Sequence, residues 1–165
     1  MLARAVLPLA LLFILSACGG STAPEQAATK AVTGPGFRFD APAGWKVSRP
    51  DDAVEAVNGS ALVSVTTYKL LKPYDQAMFD RVAAELDGSV AKLAKQAKGT
   101  VVERKTSTVD GRKIREYRYV AKGFATRIGF VFEGTREWQL LCRARAEDDD
   151  PGGACKLLFA NFSVV

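Results

Sequence analysis

From residue 37 onward the chain alternates apolar and polar positions in short runs. It breaks once into a period of three to four and then returns to alternation. Phe37-Arg38-Phe39 has the period of a strand with one buried face, and Ala41-Pro42-Ala43-Gly44 after it reads as a turn. Trp45 and Val47 open a second strand. Residues 54–57 make a third, ended by the hairpin dipeptide Asn58-Gly59. Residues 61–70 return with Leu62, Val63, Val65 and Tyr68, side chains that suit a pleated surface. Pro73 predicts a helix start, because a first turn has no use for the missing N–H, and Asp75 places negative charge where the helix dipole favours it. Phe79, Val82, Leu86, Val90, Leu93 and Ala97 then recur at steps of three and four, one face of a long amphipathic helix. Lys92, Lys95 and Lys98 suit its carboxyl end and Gly99 its stop.

Alternation then resumes. Residues 100–109 and 112–120 flank Asp110-Gly111, a strong hairpin turn, and residues 124–132 and 136–143 flank Glu133-Gly134-Thr135. Ile128, Phe130 and Phe132 share one strand face; Trp138, Leu140 and Cys142 share another. Residues 147–153 are a polar loop, 154–160 have the spacing of a short helix, and Phe162-Ser163-Val164-Val165 closes the chain. The order predicts an α+β domain: an antiparallel sheet with one long helix and a short C-terminal helix packed on it.

The first residues follow a different pattern. Arg4 precedes an apolar run over residues 5–15, and small residues follow it. That is the plan of a secretory signal peptide, and the run is too short to span a bilayer, which needs about 20 residues. Leu15-Ser16-Ala17-Cys18, followed by Gly19-Gly20-Ser21, resembles the lipobox of bacterial lipoproteins. The resemblance implies cleavage before Cys18, a diacylglycerol on its thiol and a new amine open to acylation by a chain such as palmitate. The competing reading is an ordinary signal with an incidental cysteine. Residues 19–35, rich in Gly, Ser, Thr, Ala and Pro, read as a tether reaching roughly 20–25 Å. The expected organisation is a signal over 1–17, the lipidated Cys18 and tether over 18–35, and the domain over 36–165. Such a chain sits outside the cytoplasm on a membrane face.

Composition adds two constraints. A formal charge of +5 on 165 residues suits contact with anionic lipid or a cell-wall polymer without specifying either. Export makes nucleic acid an improbable partner. With Cys18 assigned to lipid, Cys142 and Cys155 remain, and outside the cytoplasm such a pair usually oxidises; the competing readings are two buried thiols or a redox pair. Their spacing is too long for a redox Cys-x-x-Cys site.

The string Phe37-Arg38-Phe39-Asp40-Ala41-Pro42-Ala43-Gly44-Trp45 is similar to the opening of PsbP/Mog1-like domains. The long helix, the Asp110-Gly111 hairpin, Trp138-Gln139-Leu140 and the closing helix before Phe162-Ser163 match the later course of that fold. The Cys142 and Cys155 pair resembles exported lipoprotein members. The resemblance covers about residues 36–165 and implies a fold more than an activity. PsbP-like members are accessory subunits of photosystem II, Mog1-like members bind a small GTPase, and bacterial relatives are largely envelope lipoproteins. No functional residue carries over.

The chain has no histidine, which removes Ser-His and Cys-His nucleophile pairs and imidazole metal sites. No catalytic residue, metal site or cofactor is indicated. Glu147-Asp148-Asp149-Asp150 lacks the alternating spacing of a calcium loop and reads as a solvated loop before a helix. Lys105, Arg112, Lys113, Arg115 and Arg118 crowd one hairpin, with Tyr117 and Tyr119 between them and Arg143 and Arg145 within reach across the sheet. They form a candidate anion-binding surface; the plainer reading is a solvated sheet face with Glu103 and Glu116 as partners. Trp45 and Trp138 are candidates to line a ligand pocket, although aromatics at alternating strand positions are more often core. The function expected is a non-catalytic, membrane-anchored envelope protein that binds another envelope protein. The alternative is a binding module for lipid or a small amphiphile.

Overall fold

The sheet begins earlier than the alternation at Phe37 announces. In the computed structural model, which describes residues 28–148 and 150–165, Thr29–Gly34 forms a strand (β1) antiparallel to Phe37–Pro42 (β2). The tether expected over 18–35 is therefore shorter by at least these residues. The run Lys30-Ala31-Val32-Thr33 carries one large apolar side chain, too little alternation to announce a strand, yet Val32 is only 2% exposed. The expected signal peptide over 1–17 and the lipidation expected at Cys18 lie outside the described residues.

The chain continues through β3 (Lys46–Ser48), β4 (Ala53–Asn58), β5 (Ala61–Tyr74), α1 (Phe79–Gln96), β6 (Gly99–Val109), β7 (Arg112–Ala121), β8 (Phe124–Arg145), α2 (Ala154–Asn161) and β9 (Ser163–Val164). β1, β2 and β9 form a three-stranded antiparallel sheet; the larger sheet has the order β3-β4-β5-β8-β7-β6. β8 supplies two of its ribs. Its 22 residues would reach about 70 Å if straight. Yet the Ala146 N–H donates to the Gly123 carbonyl at 2.9 Å, and the Arg143 and Arg145 guanidinium groups lie 5.0 and 5.9 Å from the Phe124 ring centre. The chain therefore turns back at Gly134, whose φ of +54° favours glycine. The first arm pairs with β7 and the second with β5. This reversal is the hairpin expected at Glu133-Gly134-Thr135.

The long helix does not begin at Pro73. Pro73 lies in β5, where the register against β8 shifts between Lys69 and Tyr74, so its missing N–H costs no ladder bond. Asp75 instead caps a single 3₁₀ turn, Gln76–Met78, by accepting a hydrogen bond from the Ala77 N–H at 2.9 Å, and α1 starts at Phe79. Its carboxyl end also differs: Lys98, not Gly99, takes the left-handed conformation.

Two layers cover the larger sheet. On one face, the small sheet and α2 enclose a core that includes Phe37, Phe39, Val63, Trp138, Leu140, Leu158 and Phe162. Disulfide Cys142–Cys155 ties β8 to α2 across 13 positions, a closure on the order of 3 kcal/mol in a chain-entropy account. On the other face, α1 lies over β6 and β7, with Val90 packed among Tyr117, Ile128 and Phe130.

Candidate functional site

Strand alternation decides what becomes of the basic hairpin. Successive residues of β7 point to opposite faces. Lys113 and Arg115 face α1: the Lys113 ammonium lies 4.3 Å from the Phe79 ring centre and 3.7 Å from Asp80. Arg115 donates to both Asp87 carboxylate oxygens at 3.0 Å, and the Tyr117 hydroxyl donates to the same group at 2.7 Å. The Arg115 hydrogen bond, against partial burial and aided by Tyr117, holds the Asp87 carboxyl below the usual carboxylate range. Burial first, then Asp87, pushes the Tyr117 phenol well above its ordinary value.

Lys105 and Arg118 belong to the opposite face, around Glu116, whose side chain is 3% exposed. Arg127 stacks on Phe159 at 4.1 Å and donates to Glu116 through Nε (2.9 Å) and Nη2 (2.6 Å). The Ser107 hydroxyl donates to Glu116 as well, and Lys105 lies 3.2 Å from Glu103. Arg112 is held by Asp110 and Glu133. The five candidates thus do not form one anion-binding surface: the pleat divides them, and carboxylates answer the charge on each face. A cleft of about 250 Å³ beside α2 gathers Lys105, Arg118 and Arg127, but Glu103 and Asp150 line it too.

The acidic loop resolves in the same direction. Asp150 accepts a hydrogen bond from the Cys155 N–H at 2.6 Å, holding the start of α2. No cluster among the described residues could hold a metal ion. Trp138 and Trp45 are core residues, 1% and 8% exposed.

A second cleft, which the sequence reading did not find, lies on the α1 face. Where α1 covers β6 and β7, the face is closed; toward β8 and β5 an opening of about 300 Å³ remains. The β5 register shift shapes it: five residues of β5 pass while β8 advances two, and Leu71 projects fully into solvent. Val82 and Leu86 of α1, Tyr74 of β5 and Phe132 of β8 supply apolar walls, with the Tyr74 and Phe132 rings stacked at 5.0 Å. Two polar groups in this lining are unsatisfied. The Tyr74 hydroxyl is buried with no hydrogen-bond partner, and burial, aided by the Asp75 charge, pushes the phenol up. The Glu137 carboxylate makes no hydrogen bond or ion pair with any described residue, and burial pushes its pKa up. The sequence carries only a weak signal for Glu137: alternation with Trp138 sets it on the sheet face opposite the core, which an antiparallel sheet can leave to solvent.

No family model matches the chain, and no curated protein matches it. Among solved structures, cyanobacterial PsbP (CyanoP) from Synechocystis is similar, with a TM-score of 0.63 over 92% of this chain and 99% of that one, at 16% identity. A Bacteroides thetaiotaomicron protein gives a TM-score of 0.54 at 9% identity over 85% of this chain and 49% of that one, so this chain spans about half its length. Identities this low carry the fold alone, and it is a PsbP-like fold: an α+β domain of antiparallel sheet with one long helix and a short C-terminal helix.

Proposed function

We propose that this protein is a non-catalytic accessory protein of a bacterial envelope, tethered to a membrane outside the cytoplasm through Cys18, that acts by binding another envelope protein. The observation that carries the reading is the closure of the sheet's charged groups on one another. Arg115 with Asp87 and Tyr117, Arg127 with Glu116 and Ser107, and Arg112 with Asp110 and Glu133 pair each of these carboxylates with a cation, which supports a structural rather than a catalytic role for them. The lipobox-like Leu15-Ser16-Ala17-Cys18 supports the address. No helix among the described residues is long and apolar enough to cross a membrane. Crosslinking in intact cells with mass spectrometry, wild type against Cys18→Ser, tests it. A reproducible protein partner, weakened without the anchor, is expected; robust hydrolase activity of the purified protein, or no protein partner, overturns it.

A second reading, a module for a small amphiphile, is favoured by one observation: the apolar cleft beneath α1 with its two unsatisfied polar groups.

A further inference from the structure

We infer that the cleft between α1, the end of β5 and the β8 reversal binds a small amphiphilic amine. Its apolar body lies against Val82, Leu86 and Phe132, and its protonated nitrogen donates to Glu137, with the Tyr74 hydroxyl as a second polar contact. The inference rests on the cleft being a ligand site and names the chemistry of its ligand.

Three observations converge there. The opening, about 300 Å³, is at the lower end of the range of small-molecule sites. Its walls are mainly apolar and include two stacked aromatic rings, whose faces attract a cation. A half-buried carboxylate and a buried hydroxyl stand in the lining with no partner, each carrying a desolvation cost that a ligand donor relieves. The charge of the surroundings selects the sign of the head group. Glu85 of α1 shares the lining and Asp75 acts on Tyr74, both negative. Among the described residues Lys72 is the one cation in the lining; it is exposed and makes no ion pair with Glu137. A protonated nitrogen gains a charge-assisted hydrogen bond in the cleft, an alcohol gains only a neutral one, and a carboxylate meets like charge.

The test is calorimetric titration of the purified full chain with three probes of equal chain length: octylamine, octanol and octanoate. Octylamine is expected to bind about tenfold or more tightly than octanol, and octanoate not at all. Glu137→Gln should bring octylamine down to the level of octanol while leaving octanol unchanged. Ser89→Phe, at an exposed helix position in the lining, should weaken the amine and the alcohol alike, and Val82→Phe gives a second filling from inside. Equal binding of amine and alcohol, or a preference that survives Glu137→Gln, overturns the amine assignment and leaves the cleft as a ligand site. No binding of any probe, or binding untouched by both filling variants, overturns the ligand site as well.

Discussion

Glu137 and Trp138 are neighbours in β8 with opposite surroundings, because the pleat sends one toward α1 and the other into the core beneath the small sheet. The Trp138 ring gains by that burial, although its indole N–H is left without an acceptor. Glu137 loses water and finds no donor in return. Its raised pKa means that the folded state binds its proton more tightly than the unfolded chain does. The linkage sign follows: stability falls as pH rises from the ordinary glutamate value, about 4.3, through the folded value. Glu137→Gln should therefore raise the melting temperature at pH 7 and change it little at pH 4; a variant less stable than wild type at pH 7 would show a partner for the carboxylate. Glu116 is the contrasting case. It is more deeply buried, but Arg127 and Ser107 satisfy it, so its burial is compensated where that of Glu137 is not.

At the scale of elements, contact between α2 and β8 depends on an absent side chain. A Cβ built on Gly129 would stand 2.7 Å from the Phe159 ring and 3.2 Å from Ile114. Gly129→Ala should destabilise the fold by about 1–3 kcal/mol, the usual cost of overpacking, read as a lower midpoint in denaturant unfolding. An unchanged midpoint would mean that α2 shifts freely, which Cys142–Cys155 opposes. The face of α1 was legible from its period only in part: Phe79, Leu86 and Val90 do meet the sheet or its flanks, but Leu93, expected on the same face, is 40% exposed, and Ala94 is buried instead. Its first turn was not: Pro73 satisfies a helix start and a strand irregularity equally well, and only the pairing of β5 with β8 separates them. The β8 reversal was legible, because Glu133-Gly134-Thr135 interrupts two alternating runs that each demand a buried face.

Across the whole molecule, the small sheet closes the core, and it draws on both ends of the described chain. β2 is flanked by β1 from the amino side and β9 from the carboxyl side. A chain beginning at Gly36 would leave one edge of β2 open and remove Val32 from the core, a loss of roughly 1.5–3 kcal/mol from burial alone. Thermal unfolding of chains beginning at Ala28 and at Gly36 should show the shorter one to be less stable; equal stability would remove β1 from the domain. Around the β6–β7 hairpin the positive charge is answered locally on both faces: Lys113 and Arg115 meet α1 carboxylates while Lys105 and Arg127 meet Glu116.

Much of the architecture is local and was readable from order alone. Periods of two and 3.6 and the turns at Asn58-Gly59 and Asp110-Gly111 specify strands and helices, because each is set by residues a few positions apart, and the pairing of Cys142 with Cys155 followed from an expected export. Tertiary structure decided which groups meet: that β1 pairs with β2, that the basic hairpin is divided and neutralised, and that α1 stops short of β5. The cleft with Glu137 and Tyr74 exists only as a distance between a helix, a strand bulge and a hairpin tip far apart in sequence, and no period along the chain encodes a distance of that kind.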